Sequence, residues 1–367
     1  MIIKMKRTTP AYRQPQSTTT IMHDLLIAEV TLAIASILMQ VYRHNINYGL
    51  KAFGMYIMAI LTALITEGVW AWIHQKPMKS IITDSFCLNT PIIFTLTLPI
   101  GTPYYVVVIG AFIATFFGKL VYGGFGQNIF NPALVGRVVV HLSFASKLTN
   151  SLSLIDASTS PTPATALAKT NWFGTSAFPY SLKDLLLGMH DGALGEGLII
   201  LLVIIGVILA LRHVYDPRIT LSYLGSVALF ALVSGLVLGI NPFVNCARHL
   251  MLGGLMIGAI LMATDPVTSP SSPLGKIIYG ISLGFLTLLI RLKANYPEGV
   301  LFSILIMNML TPWIDSLILG RTSEHHSKQI AIILIMLCIG MGTIGGISTT
   351  LQPQKQSEVG EFYEAHC

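Results

Sequence analysis

Charge is what this chain has least of. Of 367 residues only 10% are Asp, Glu, Lys or Arg, while 53% are hydrophobic; a soluble domain carries about 25% charged residues. That composition excludes an ordinary water-soluble domain and points to a chain that meets lipid. Cysteine is scarce too. Cys87, Cys246, Cys338 and Cys367 stand far apart, with no Cys-x-x-Cys pair. Iron–sulfur and zinc sites need clustered thiolates, so this chain alone is expected to hold neither, though a thiolate shared with a partner stays open. A nucleic-acid footprint is absent as well. The net charge of +6 comes from Lys and Arg at the ends of apolar runs, where they set membrane orientation. Residues 1–20 are basic and polar with no cleavable apolar segment behind them, so no signal peptide is expected.

Long apolar runs are what the chain has in abundance. They recur over 24–41, 50–73, 86–100, 104–121, 129–144, 197–211, 219–240, 250–264, 276–291, 299–319 and 329–347, and about 20 residues of helix cross a bilayer core. The expectation is an all-α integral membrane protein of about 10–11 transmembrane helices, the short runs being broken or tilted. It divides into a cytoplasmic segment 1–23, a first transmembrane half 24–144, an extracytoplasmic loop 145–196, a second half 197–348 and a tail 349–367. Lys4, Lys6, Arg7 and Arg13 put the N-terminus in the cytoplasm. Counting outward, Lys76, Lys79, Lys119, Arg212, Arg218, Arg321 and Lys328 fall on the same side, while Arg43, Arg248 and Lys293 fall outside.

The two halves resemble each other. Asn89-Thr90-Pro91 opens a stretch that runs through Pro103 and an apolar helix to GKLVYGGFGQNIFNPALVGR. Thr264-Asp265-Pro266 opens another, through Pro273 and an apolar helix to RLKANYPEGVLFSILIMNMLTPWID. Related halves with Pro-interrupted helices are how many transport folds build a site near the membrane midplane.

Ionisable residues inside the apolar runs are costly and usually functional. Glu29, Glu67, Lys119, Arg137, Asp265, Arg291 and Asp315 are the candidates. Asp265 and Glu67 are singled out as residues of an ion path. Beside Asp265, Pro266 lacks an N–H and frees carbonyls, and such oxygens suit a small cation. The structural alternative is that Asp265 pairs with an arginine or caps the next helix, and that Lys119 and Arg291 snorkel to the interface.

GGFGQN, residues 123–128, lacks the preceding strand of a dinucleotide-binding motif. Its glycines allow a sharp turn and a close approach of backbones, and Asn128 and Asn131 can satisfy backbone groups freed at a broken helix. The Ser/Thr-rich loop 145–196 stands out among short connections, and long loops of this kind are functional or disordered. Pro161 and Pro163 bias its centre toward extended chain, here expected to be exposed.

Taken in order, GGFGQNIFNPALVGR, MATDPVTSPSSPLGKIIYG and NYPEGVLFSILIMNMLTPWID closely resemble the RnfD component of Rnf-type electron-transport complexes. That family also includes the NqrB component of the sodium-pumping NADH:quinone oxidoreductase. The likeness begins at PAYRQPQSTTTIMHD and runs to about residue 315, most of the chain. It implies a membrane component of a redox-driven translocase, inactive alone, which relays electrons between ferredoxin and NAD while Na⁺ or H⁺ moves. It implies FMN joined through its phosphate to a threonine by a flavin transferase, and in some members a noncovalent riboflavin. Thr162-Pro163-Ala164-Thr165-Ala166-Leu167 is similar to the family's attachment site, which makes Thr165 the acceptor and Thr162 and Ala164 its context, with Pro163 where Gly is common. Gly126, Asn128, Asn131 and Glu196 are the further flavin-binding candidates. Iron–sulfur and other membrane subunits are the implied partners, and a bacterial inner membrane the implied location. The NADH:quinone type is the alternative within the family, and a flavin-free channel or carrier the alternative outside it.

Overall fold

The computed structural model describes residues 17–75, 77, 85–148, 164, 180–294, 299–318 and 326–351, with backbone only for 326–328. Among them every element is helical, and the one β-type contact is an isolated bridge between Pro99 and Ala193. The first half holds α1 (Thr18–Arg43), α2 (Ile46–Ile73), α3 (Asn89–Leu96), α4 (Tyr104–Phe116) and α5 (Pro132–Ser143). A short α6 (Leu182–Leu187) follows. The second half holds α7 (Ile199–Leu211), α8 (Pro217–Val237), α9 (Pro242–Met251), α10 (Leu255–Met262), α11 (Pro273–Lys293), α12 (Gly299–Ile318) and α13 (His326–Ser348).

Among the described residues seven helices are long and apolar enough to cross a membrane, and the pair α9–α10, bent by 66°, makes up to an eighth span. The apolar helices α5 and α7 are shorter, at 12 and 13 residues. The chain is an all-α, multi-pass membrane protein. The run 86–100 departs from the expected spanning helix. Only the eight residues of α3 are helical, and Pro99 and Pro103, which cannot donate to a helical ladder, leave the rest irregular.

Helix starts follow a repeated local rule. Asn131, Asp216, Asn241 and Ser272 each precede a proline at the first helical position, and each side chain accepts a backbone N–H of the first turn. The polar cap satisfies an orphan donor, and proline occupies the position that needs none. Packing repeats as well. In the first half α2 lies along α4 and α4 along α5; in the second, α8 lies along α11 and α11 along α12. Gly280 and Gly284 let α8 approach α11 so closely that a Cβ at either would strike Ser222 or Ser226, the small-residue contact common in membranes.

Two faces can be told apart. Asp24 pairs with Arg212 at 2.9 Å and Asp216 with Lys276 at 3.0 Å, gathering the start of α1, the end of α7 and the starts of α8 and α11. At the opposite face Arg43 pairs with Asp191 at 2.8 Å, and Lys293 bonds Thr350 at 3.4 Å. The start of α1 and the end of α13 therefore lie on opposite faces.

Candidate functional site

Each half contains a break whose freed carbonyls are answered by a buried arginine. Past α3, Arg137 of α5 donates from Nε to the Thr97 carbonyl at 3.0 Å. The Leu96 and Leu98 carbonyls accept from Gly195 and Leu194 at 2.8 and 2.9 Å. Between α9 and α10, Gly253 and Gly254 take φ of +69° and +66°, a conformation that favours glycine. There Arg291 donates to the His249 and Leu252 carbonyls at 2.7 and 2.6 Å.

Glu196 joins these breaks. Its Oε1 accepts from the Gly253 N–H at 2.6 Å and its Oε2 from the Ala193 N–H at 3.2 Å. Residues 193–196 are thus threaded between the halves. A Cβ on Gly195 would sit 2.8 Å from Ile257 Cδ1, so no larger residue fits without a shift. Thr97, Arg137, Glu196, Gly253 and Met262 line a small cavity at this crossing.

A larger cleft opens where the first turn of α3 meets the end of α10. It encloses about 760 Å³ counted out to its mouth, and is lined by Phe86, Asn89, Phe125, Asn128, Asn131 and Asp265 among others. Phe86 and Phe125 meet edge to face at 4.9 Å between ring centres. Asn131 works on three sides. Its Oδ1 caps α5, its Nδ2 donates to the Met262 carbonyl at 3.4 Å, and its N–H donates to the Asn308 amide at 3.0 Å. Asn308 in turn donates to the Tyr279 hydroxyl at 2.8 Å. Asn128 holds the Phe130 carbonyl at 2.9 Å.

Sequence expectations divide accordingly. Asn128, Asn131 and Asp265 converge on the cleft, whereas Glu196 lies at the break crossing. Gly126 serves the turn: Gly123, Gly124 and Gly126 have φ of +116°, +106° and +82°, and a Cβ on Gly124 or Gly126 would meet nothing within 4 Å. The expected close backbone approach is absent there. Asp265 accepts from the Val267 N–H at 3.1 Å and the Thr268 hydroxyl at 3.3 Å, closing an Asx-type turn.

Lys119 and Arg291 do not snorkel. Both are buried, at 3% and 1% exposure. Lys119 Nζ, which reaches the cleft, pairs with Glu67 Oε1 at 2.7 Å and also bonds the Ser85 carbonyl. Glu67 further accepts from the Ser85 hydroxyl. Thr162 and Thr165 lie outside the described residues. Ala164, expected on an exposed loop, is buried in a cluster with Leu185 of α6, Phe230 of α8 and Leu252. Its methyl finds apolar cover at the helix ends, which the loop's polar composition concealed.

Fold and site define a multi-pass membrane protein whose paired, arginine-stitched breaks surround a cleft of mixed polarity. Residues 5–323 match the NQR2, RnfD, RnfE family, and the chain belongs to it. The relatives it matches are the D components of ion-translocating oxidoreductase complexes. In Clostridium ljungdahlii the relative belongs to a proton-translocating ferredoxin:NAD(+) oxidoreductase complex and is 36% identical over 316 residues, covering 83% of this chain and 92% of that one. In Acetobacterium woodii it belongs to a Na(+)-translocating ferredoxin:NAD(+) oxidoreductase complex and is 34% identical over 309 residues, covering 83% and 91%. In Halorhodospira halophila it belongs to an ion-translocating oxidoreductase complex and is 30% identical over 346 residues, covering 85% and 94%. Helix α13 lies beyond the family match.

Proposed function

We propose that this chain is the flavin-bearing membrane subunit of a redox-driven ion translocase that exchanges electrons between ferredoxin and NAD. In this reading FMN is linked through its phosphate to Thr165, and a second, noncovalent flavin such as riboflavin occupies the cleft. The observation that carries it is the cleft itself. Its volume suits a tricyclic ring, and its lining pairs aromatic and aliphatic walls with a few convergent polar groups, as small-molecule sites do.

A bound flavin supplies one- and two-electron transfer. The chain's residues do the rest. Phe86 and Phe125 offer ring faces and edges, Asn128 and Asn131 fix the loop that borders the ring, and Asp265 brings a carboxylate to the same wall. Asp265 and the Glu67–Lys119 pair are the residues assigned to the ion path. The start of α1 is placed on the cytoplasmic face of a bacterial inner membrane, which puts the Thr165 loop outside. Iron–sulfur and other membrane subunits complete the complex, and a flavin transferase matures it.

A flavin-free channel fits less well. Carbonyls freed at broken helices coordinate cations in transporters, but here Arg137 and Arg291 already occupy them. The deciding experiment co-expresses the chain with a flavin transferase and reads ultraviolet fluorescence of the denatured band. Wild type should fluoresce and Thr165→Ala should not. Flavin released from native wild type on denaturation would report the cleft. A dark wild-type band despite active transferase would sink the covalent assignment.

A further inference from the structure

Glu29 is used by nothing described so far. It is fully buried on α1, and its position 11 residues past Thr18 puts it roughly 16 Å along the helix, deep in the membrane. Its Oε1 accepts from Asn89 Nδ2 at 3.2 Å, and its Oε2 has no hydrogen-bond partner. Asn89 is the first residue of α3 and also donates to the Met22 carbonyl at 3.5 Å. Met22, Leu25 and Asn89 all line the cleft, so a single layer of residues separates Glu29 from it.

No fixed cation answers this carboxyl group. Helices α2, α3 and α7 pack against α1. The sequences of α3 and α7 contain no ionisable side chain. On α2, Glu67 is held by Lys119, Tyr56 bonds Ser36, and Lys51 lies over the Tyr104 ring. On α1 itself, Asp24 pairs with Arg212 and Arg43 with Asp191, while His23 lies edge-on to Phe86. Asp265 lies across the cleft in its own turn. An isolated carboxylate in an apolar interior is strongly disfavoured, and intramembrane acids of this kind serve ion movement more often than structure.

We propose that Glu29 is a proton-binding site inside the membrane, filled and emptied through the cleft past Asn89. Two features favour a proton over a metal cation. The group that meets Glu29 is an N–H donor, and the nearby Met22 carbonyl is already taken by that same amide. The first turn of α3, which has no side-chain cap, directs its positive end toward this region and opposes a cation. The same helix end favours the carboxylate while burial favours the acid, so the group can cycle between them. In the uptake step hydronium in the cleft gives its proton to Oε2, an O–H bond forms, water is left, and the carboxylate charge is neutralised. Release reverses each change. The inference rests on α1 and α3 and stands whether or not flavin occupies the cleft.

The test uses the full chain in lipid vesicles and the apolar carbodiimide DCCD, which modifies protonated carboxyl groups from within the bilayer. Peptide mass mapping should find the adduct on Glu29 and none on Glu67, which Lys119 holds. The yield at Glu29 should fall as pH is raised and stay unchanged when Na⁺ is added at constant pH. Infrared spectra should show a protonated-carboxyl band in wild type that Glu29→Gln, a shape mimic of the neutral acid, removes. Absence of both adduct and band overturns the proposal. So does protection by Na⁺ at fixed pH, which would mark a metal-cation site.

Discussion

Arg137 donates from Nε to the Thr97 carbonyl at 3.0 Å, tying α5 to the break past α3 across 40 residues of chain. Both partners are buried. Arg137→Met keeps apolar bulk but leaves that carbonyl without its donor, which should lower stability by about 1–3 kcal/mol. Arg137→Lys keeps the charge without the planar fork and should recover part of the loss. Thermal unfolding in lipid nanodiscs would show it, and a midpoint equal to wild type in Arg137→Met would remove the stitching role.

The Glu67–Lys119 pair predicts a non-additive result. Each side chain is 3% exposed, and they meet at 2.7 Å. Removing one partner strands a buried charge, at about 3–5 kcal/mol, while replacing both with apolar residues is often neutral. Lys119→Met should therefore destabilise strongly, and Glu67→Leu on top of it should restore much of the midpoint. Additive losses in the double variant would show that the two do not depend on each other.

His44, in the turn between α1 and α2, lies 3.7 Å from Asp191, which Arg43 already holds. Burial, then the Arg43 charge, pushes its pKa below the ordinary 6.5, against the pull of Asp191. The folded state thus binds this proton less readily than the unfolded chain. The stability His44 contributes is complete above pH 6.5 and declines as pH falls below it. NMR titration should place His44 below the ordinary value, and Asp191→Asn should push it lower. A raised value in wild type would reverse the ordering of these influences.

Much of this architecture can be read from local residue chemistry. Asn131-Pro132, Asp216-Pro217, Asn241-Pro242 and Ser272-Pro273 mark helix starts, and Pro99, Pro103 and the Gly253-Gly254 pair mark the breaks. The convergence of Asn128, Asn131 and Asp265 on one cleft follows from reading each as a polar group at a break. What stays hidden is pairing at long separation. Lys119 reads as a snorkelling residue because nothing near it in sequence reveals Glu67, 52 positions away. Arg137 and Arg291 show as intramembrane charges, but only the fold brings them to the carbonyls of Thr97, His249 and Leu252. Gly195 has no local signature either, since its constraint comes from Ile257 and Leu96.

Asp265 separates a structural role from a functional one. Its carboxylate accepts from the Val267 N–H and the Thr268 hydroxyl, so the turn needs an acceptor oxygen but not a negative charge. Asp265→Asn keeps that oxygen and should leave the unfolding midpoint within about 0.5 kcal/mol of wild type, whereas Asp265→Ala loses both bonds and about 1–3 kcal/mol. If the charge serves the ion path at the cleft, Asp265→Asn should lose ferredoxin-driven ion uptake by vesicles of the assembled complex while remaining folded. Uptake at the wild-type rate in the folded Asn variant would confine Asp265 to shaping the turn and leave the cleft's ion chemistry to its neighbours.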